Sequence, residues 1–242
     1  MNAMTQSRTF IPLVITAFLL SMSAFAQTPK LYSKGNVLVG ANFNDGTGSS
    51  DMTLIMQLSG DGKVYVDEGY EVKYIYNPDN AGITGWTKSD FDDKGWKDGF
   101  SGVGFSDNDD NTTTPAALLS IWTRYHFDAP NASSVKEVTL LVDYDDQYIA
   151  WLNGVEIARS AGVNAKGLKV GDEPAWDFSA NGITNRGSCE MAAGKPNAAR
   201  WSCGSVERTV VKVEFGGSTG FSVEPAGKLA TVWGKIKSEK SL

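Results

Sequence analysis

Apolar and polar residues alternate along most of this chain in runs of four to nine residues, and beyond the first 26 positions no stretch sustains a 3.6-residue period. Period-2 alternation is what a strand with one buried face requires. The runs Asn36 to Phe43, Thr53 to Leu58, Lys63 to Val66, Glu71 to Tyr76, Ser120 to Phe127, Glu137 to Tyr144, Tyr148 to Leu152, Val155 to Arg159, Thr209 to Phe215 and Leu229 to Ile236 therefore read as strands. Stretches rich in Gly, Asn, Asp and Pro separate them. An all-β, antiparallel two-sheet sandwich is the simplest way to bury so many half-apolar strands. One hairpin is legible in detail. Tyr148, Ala150 and Leu152 share one face of a strand, Ile149 and Trp151 the other, and Asn153-Gly154 supplies the positive φ of a type I′ turn into Val155. Asp61-Gly62 marks a second turn. The strands ending at Tyr144, Leu152 and Arg159 are expected to follow one another as a meander.

The first 26 residues depart from this pattern. Arg8 precedes an apolar run from Phe10 to Met22, and Ala24-Phe25-Ala26 then offers the small-x-small site that a signal peptidase accepts. The run falls short of the roughly 20 apolar residues of a spanning helix. A cleaved leader, residues 1–26, is expected, and with it a secreted or periplasmic location and no membrane span after cleavage. The formal charge of -6 becomes one unit more negative without Arg8. An acidic chain without clustered Lys and Arg argues against nucleic acid as a partner. Export also explains the two cysteines. Cys189 and Cys203 would pair in an oxidising compartment, whereas a zinc site would need further Cys or His nearby.

Aromatic residues cluster at Trp86, Phe91 and Trp96, followed by Gly99-Phe100-Ser101-Gly102-Val103-Gly104-Phe105. Lacking strand alternation, this segment is expected to be a compact loop whose rings plug one end of the core, with its acidic residues as turn formers. Trp86 with Phe91-Asp92-Asp93 and Trp96, then Gly102 to Phe105, Thr123 to Phe127, Val142 to Asp146 and Ala150 to Arg159, form an ordered series. That series resembles the landmarks of a galactose-binding-like, jelly-roll domain of the carbohydrate-binding-module type found in secreted bacterial proteins. The resemblance implies a jelly-roll sandwich over residues 71–217; outside the match, an N-terminal β extension at 27–70 packed on the sandwich and a C-terminal strand and tail at 218–242 are expected. Gln147 stands where relatives usually have Gly after the aspartate pair, and Thr123 where they carry an aromatic residue.

Candidate chemistry is sparse. His126 is the only histidine, it shares a strand face with Trp122 and Arg124, and no nucleophile motif accompanies it; no catalytic residue is assigned. Asp107, Asp109 and Asn111 place oxygen ligands at alternate positions, which suits either calcium or a solvated acidic loop. Exposed aromatics are expected at Trp86, Trp151, Trp176 and Trp201. Trp176 and Trp201 flank the Cys189 to Cys203 loop, which with its approach carries Arg186 and Arg200, and these four are the expected ligand-binding residues. The leading expectation is a non-catalytic secreted module that binds an extracellular polysaccharide or cell-surface component. A structural or adhesive envelope protein, and a small glycoside hydrolase using a carboxylate pair, are the alternatives.

Overall fold

In the computed structural model the alternating runs become strands, described over residues 27–76, 83–106, 110–179, 189 and 199–220. In chain order they are β1 (Lys30–Tyr32), β2 (Asn36–Phe43), β3 (Met52–Gly60), β4 (Lys63–Val66) and β5 (Glu71–Tyr76). Next come β6 (Lys97–Phe100), β7 (Val103–Phe105), β8 (Thr112–Thr113), β9 (Ser120–Phe127) and β10 (Glu137–Asp145). The last are β11 (Gln147–Leu152), β12 (Val155–Arg159), β13 (Glu207–Lys212) and β14 (Glu214–Gly217), with one short helix, α1 (Ala161–Ala165). No helix among these residues is long and apolar enough to cross a membrane.

Two six-stranded sheets face each other. The front sheet runs β12-β11-β2-β9-β5-β6, and the back sheet runs β13-β10-β3-β7-β8 with β4 also paired to β3. Their facing side chains form the main core: Leu38, Tyr125, Tyr148 and Leu152 from the front meet Leu54, Met56, Leu140 and Val142 from the back. Gly40 is required at their closest approach, since a Cβ there would lie 2.6 Å from the Met56 terminal methyl. The short parallel pair β1 and β14 lies apart from both sheets, with Leu31 tucked into the core.

A second core covers the other face of the front sheet. Val37, Val39, Ala41 and Phe43 of β2, Trp122 of β9 and Ile149 and Trp151 of β11 point away from the main core. Trp86 and Trp96 from residues 83–96, and Val163, Trp176 and Phe178 from residues 160–179, pack over them. Trp86 stacks on Trp122 at 4.1 Å and meets Trp151 edge-on at 5.1 Å. The carboxylate of Glu173 accepts bonds from the Gly85 and Thr87 amides, tying the two covering segments together.

The tryptophan cluster is thus a layer over a sheet face and not a plug at the end of the sandwich, because outward positions on three adjacent strands are themselves apolar. The expected meander is also corrected. β10 pairs with β3 and β13, whereas β11 pairs with β2 and β12, so the chain passes from back sheet to front at Asp145-Asp146. The Asn153-Gly154 hairpin forms as anticipated, with φ of 51° and 86°, as does the turn at Asp61-Gly62 between β3 and β4. β2 and β3, from the segment expected as an extension, occupy interior positions of the two sheets. The expected run Thr209 to Phe215 is divided between β13 and β14. The leader and Leu229 to Ile236 lie outside the described residues.

Candidate functional site

Of the four residues expected to bind ligand, the three that are described fall on opposite sides of the molecule. Cys189 and Cys203 form the disulfide, and it lies over the outer face of the back sheet, where the Cys189 amide donates to Asp143 of β10. Arg200 is fully buried there, between Glu68 at 3.1 Å and Asp143 at 2.5 Å, and Nη1 also donates to the Cys189 carbonyl. Its guanidinium is taken up inside the protein rather than presented at a surface. Trp201 is half-buried beside it and donates its indole N–H to Asp67. Trp176 packs into the tryptophan layer over the front sheet, and its carbonyl accepts from Ser120. The two rings cannot line one groove. Trp86 and Trp151, expected to be exposed, are buried. Arg186, Asp107 and Asp109 lie outside the described residues. The Asn111 amide donates to the Ser101 carbonyl, and no group of three His, Cys, Asp or Glu gathers among the described residues.

A trough of about 440 Å³ opens elsewhere, where the tryptophan layer stops short of the front sheet's β5–β6 edge. Strand alternation builds it. Arg124 and His126 point outward from β9, Glu71 and Lys73 from β5, Asp98 and Phe100 from β6. Cross-strand register sets them in rows: Lys73 is opposite both Arg124 and Asp98, and Glu71 is opposite Phe100. Lys73 and Asp98 form an ion pair at 2.5 Å. Phe100 is 52% exposed and lines the trough, which sets an aromatic ring beside these charged groups.

Asp93, at the margin of the tryptophan layer, holds two of the residues that line the trough. Its Oδ2 accepts from Arg124 Nε at 2.7 Å and contacts His126 Nε2 at 2.6 Å. Arg124 Nη1 donates to the carbonyls of Trp86 and Lys88, and the guanidinium lies over the Phe91 ring. A buried arginine thereby fastens the covering segment to β9. Arg124 and His126 were legible as one strand face; their partner was not, because it sits on a loop about thirty residues earlier and reads there as a turn former.

No protein family matches the chain, and no curated protein or solved structure does. What the trough can do therefore rests on its own geometry: a fixed donor and acceptor array beside an exposed aromatic ring.

Burial pushes the Asp93 carboxyl up, but the hydrogen bonds and charges of Arg124 and His126 outweigh it and hold the group below its ordinary 3.8. A carboxylate depressed in the folded state contributes stability that is complete above its unfolded value and is lost as pH falls through the folded one. The stability difference between the natural protein and Asp93→Asn is accordingly expected to shrink below about pH 4. Urea denaturation across a pH series measures it, and a difference that stays constant to pH 2 would refute the coupling.

Proposed function

We propose that this chain is an exported, non-catalytic binding module of the galactose-binding-like, jelly-roll class, and that it takes a saccharide of an extracellular polymer in the β9–β5–β6 trough. The carrying observation is Phe100. Half-exposed, it stands in a row with Glu71 and next to the paired Lys73 and Asp98. Sugar rings need this combination, an aromatic surface for their apolar C–H face and charged groups around it for their hydroxyls. Asp93 and Asp98 are each tied to a cation, which suits acceptors held as anions better than a proton-exchanging pair. The landmark residues support the class assignment in a further way: Trp86, Asp93, Arg124 and Trp151 lock the tryptophan layer to the sheet, a structural duty that leaves ligand choice to the neighbouring trough.

Pull-down on insoluble polysaccharides and a glycan array, each with calcium and with chelator, test the reading and the calcium expectation together. Phe100→Ala is expected to weaken binding roughly tenfold, the equivalent of about 1.4 kcal/mol of ring contact. Because the side chain is exposed, the fold should be unaffected. Binding that is indifferent to Phe100 would place the site elsewhere.

A further inference from the structure

The polarity of the trough follows from what lies behind His126. Asp93 sits against the permanently charged guanidinium of buried Arg124, so it is held as a carboxylate, which can only accept hydrogen bonds. Its contact with His126 Nε2 at 2.6 Å therefore needs the proton on Nε2. In the neutral ring Nδ1 is then bare, and it carries a lone pair. His126 lines the trough with its side chain 48% exposed, and among the described residues its ring is held by Asp93 alone. With Nε2 committed to Asp93, the acceptor of the neutral ring is Nδ1, on a side chain that lines the trough and is held by Asp93.

The surrounding groups share that bias. Facing His126 are Asp93 from the covering segment, Arg124 on its own strand, Glu71 and Lys73 from β5 and Asp98 from β6. Arg124 offsets Asp93 and Lys73 offsets Asp98, which leaves Glu71 without a charged partner among the described residues. With the imidazole neutral, the balance is one net negative charge. The Tyr70 hydroxyl is already donated to the His126 carbonyl.

We propose that the trough reads its saccharide through hydrogen-bond donors, and that the group it suits best is the free ammonium of a 2-amino-2-deoxy sugar whose ring lies on Phe100. This rests on the saccharide-binding reading above. An ammonium brings three donors and a positive charge to bare Nδ1 and unpaired Glu71. N-acetylation removes the charge and two of the donors and adds a carbonyl that finds no complementary surplus of donors. A uronate would add a fourth carboxylate to three already present.

Two measurements on the purified chain test this. Because His126 is the only histidine, its imidazole signals in a long-range ¹H–¹⁵N correlation spectrum need no assignment; a protonated Nε2 and a bare Nδ1 are expected, and a ring that carries a proton on Nδ1 would overturn the proposal. Titration with tetramers of glucosamine, N-acetylglucosamine, glucose and galacturonate, and with spermine as a ringless cation, reads the preference. The glucosamine tetramer should bind at least about fivefold tighter than the glucose tetramer, with the galacturonate tetramer weakest. Glu71→Gln, at an exposed position, should reduce that preference to within about twofold. If the acetylated, neutral or acidic tetramer binds as well as the amine, or spermine does, the donor-reading proposal fails while saccharide binding stands. If the folded protein binds no saccharide in any of these assays, both fall.

Discussion

Replacing Arg200 by alanine is expected to lower the free energy of unfolding by about 3–5 kcal/mol, a large fraction of what a domain of this size has. The guanidinium is buried between Glu68 and Asp143, which are themselves fully buried, so its loss strands two buried carboxylates without the cation they share. The cost lies in that stranding rather than in any large net benefit of the triad. Substituting Arg200→Met together with Glu68→Leu and Asp143→Leu should therefore recover most of the loss. Urea unfolding of the oxidised proteins makes the comparison. A single substitution costing under about 1 kcal/mol would mean that the three groups are not a closed unit. The same experiment bears on the disulfide segment, because Arg200 and Asp143 both bond to the main chain of Cys189.

Trp86→Ala should cost a similar amount, about 3–5 kcal/mol, through loss of the most deeply buried indole in the covering layer. Trp86 is fully buried, stacks on Trp122 and meets Trp151 edge-on. Its effect is expected to be regional: tryptophan fluorescence and near-ultraviolet dichroism should change while the sheet signal in the far ultraviolet persists, since the core between the two sheets contains none of these three rings. The proposed saccharide binding should fall as well, because the segment that carries Asp93 would lose its ring contacts with the front sheet. Trp86→Phe keeps an aromatic ring in the stack and removes an indole N–H that has no acceptor among the described residues. It should cost less than half as much as the alanine substitution. Equal losses for the two would show that the layer depends on something other than ring contact.

The strands that could be read from the sequence are those whose two faces differ in chemistry. β4, β5, β9 and β12 begin and end where the alternation does. β2 was also found, although its Val37, Val39, Ala41 and Phe43 all point away from the main core; Asn36, Gly40 and Asn42 between them mimic a solvent face. That is why the second core escaped notice: an outward valine looks the same whether it meets water or another layer. β1, β6, β7 and β8 span two to four residues, too few for a period to show, and their existence depends on partners distant in sequence. The crossing at Asp145-Asp146 was hidden for a related reason, since alternation records the faces of a strand and not its neighbours. Of the trough, the shared face of Arg124 and His126 could be read, but Lys73, Asp98 and Phe100 could not be placed beside them without the β5–β6 register.

That register has a thermodynamic corollary. The trough's side chains project from three hydrogen-bonded strands instead of from loops, and their spacing across and along the sheet is set by the ladder itself. Little ordering of the protein should accompany binding, so modest contacts can yield measurable affinity. The same rigidity carries a penalty for mismatch: a sugar whose substituents are inverted at a single carbon cannot be met by a compensating shift of the backbone, and stereochemical discrimination would arise from the sheet's own geometry.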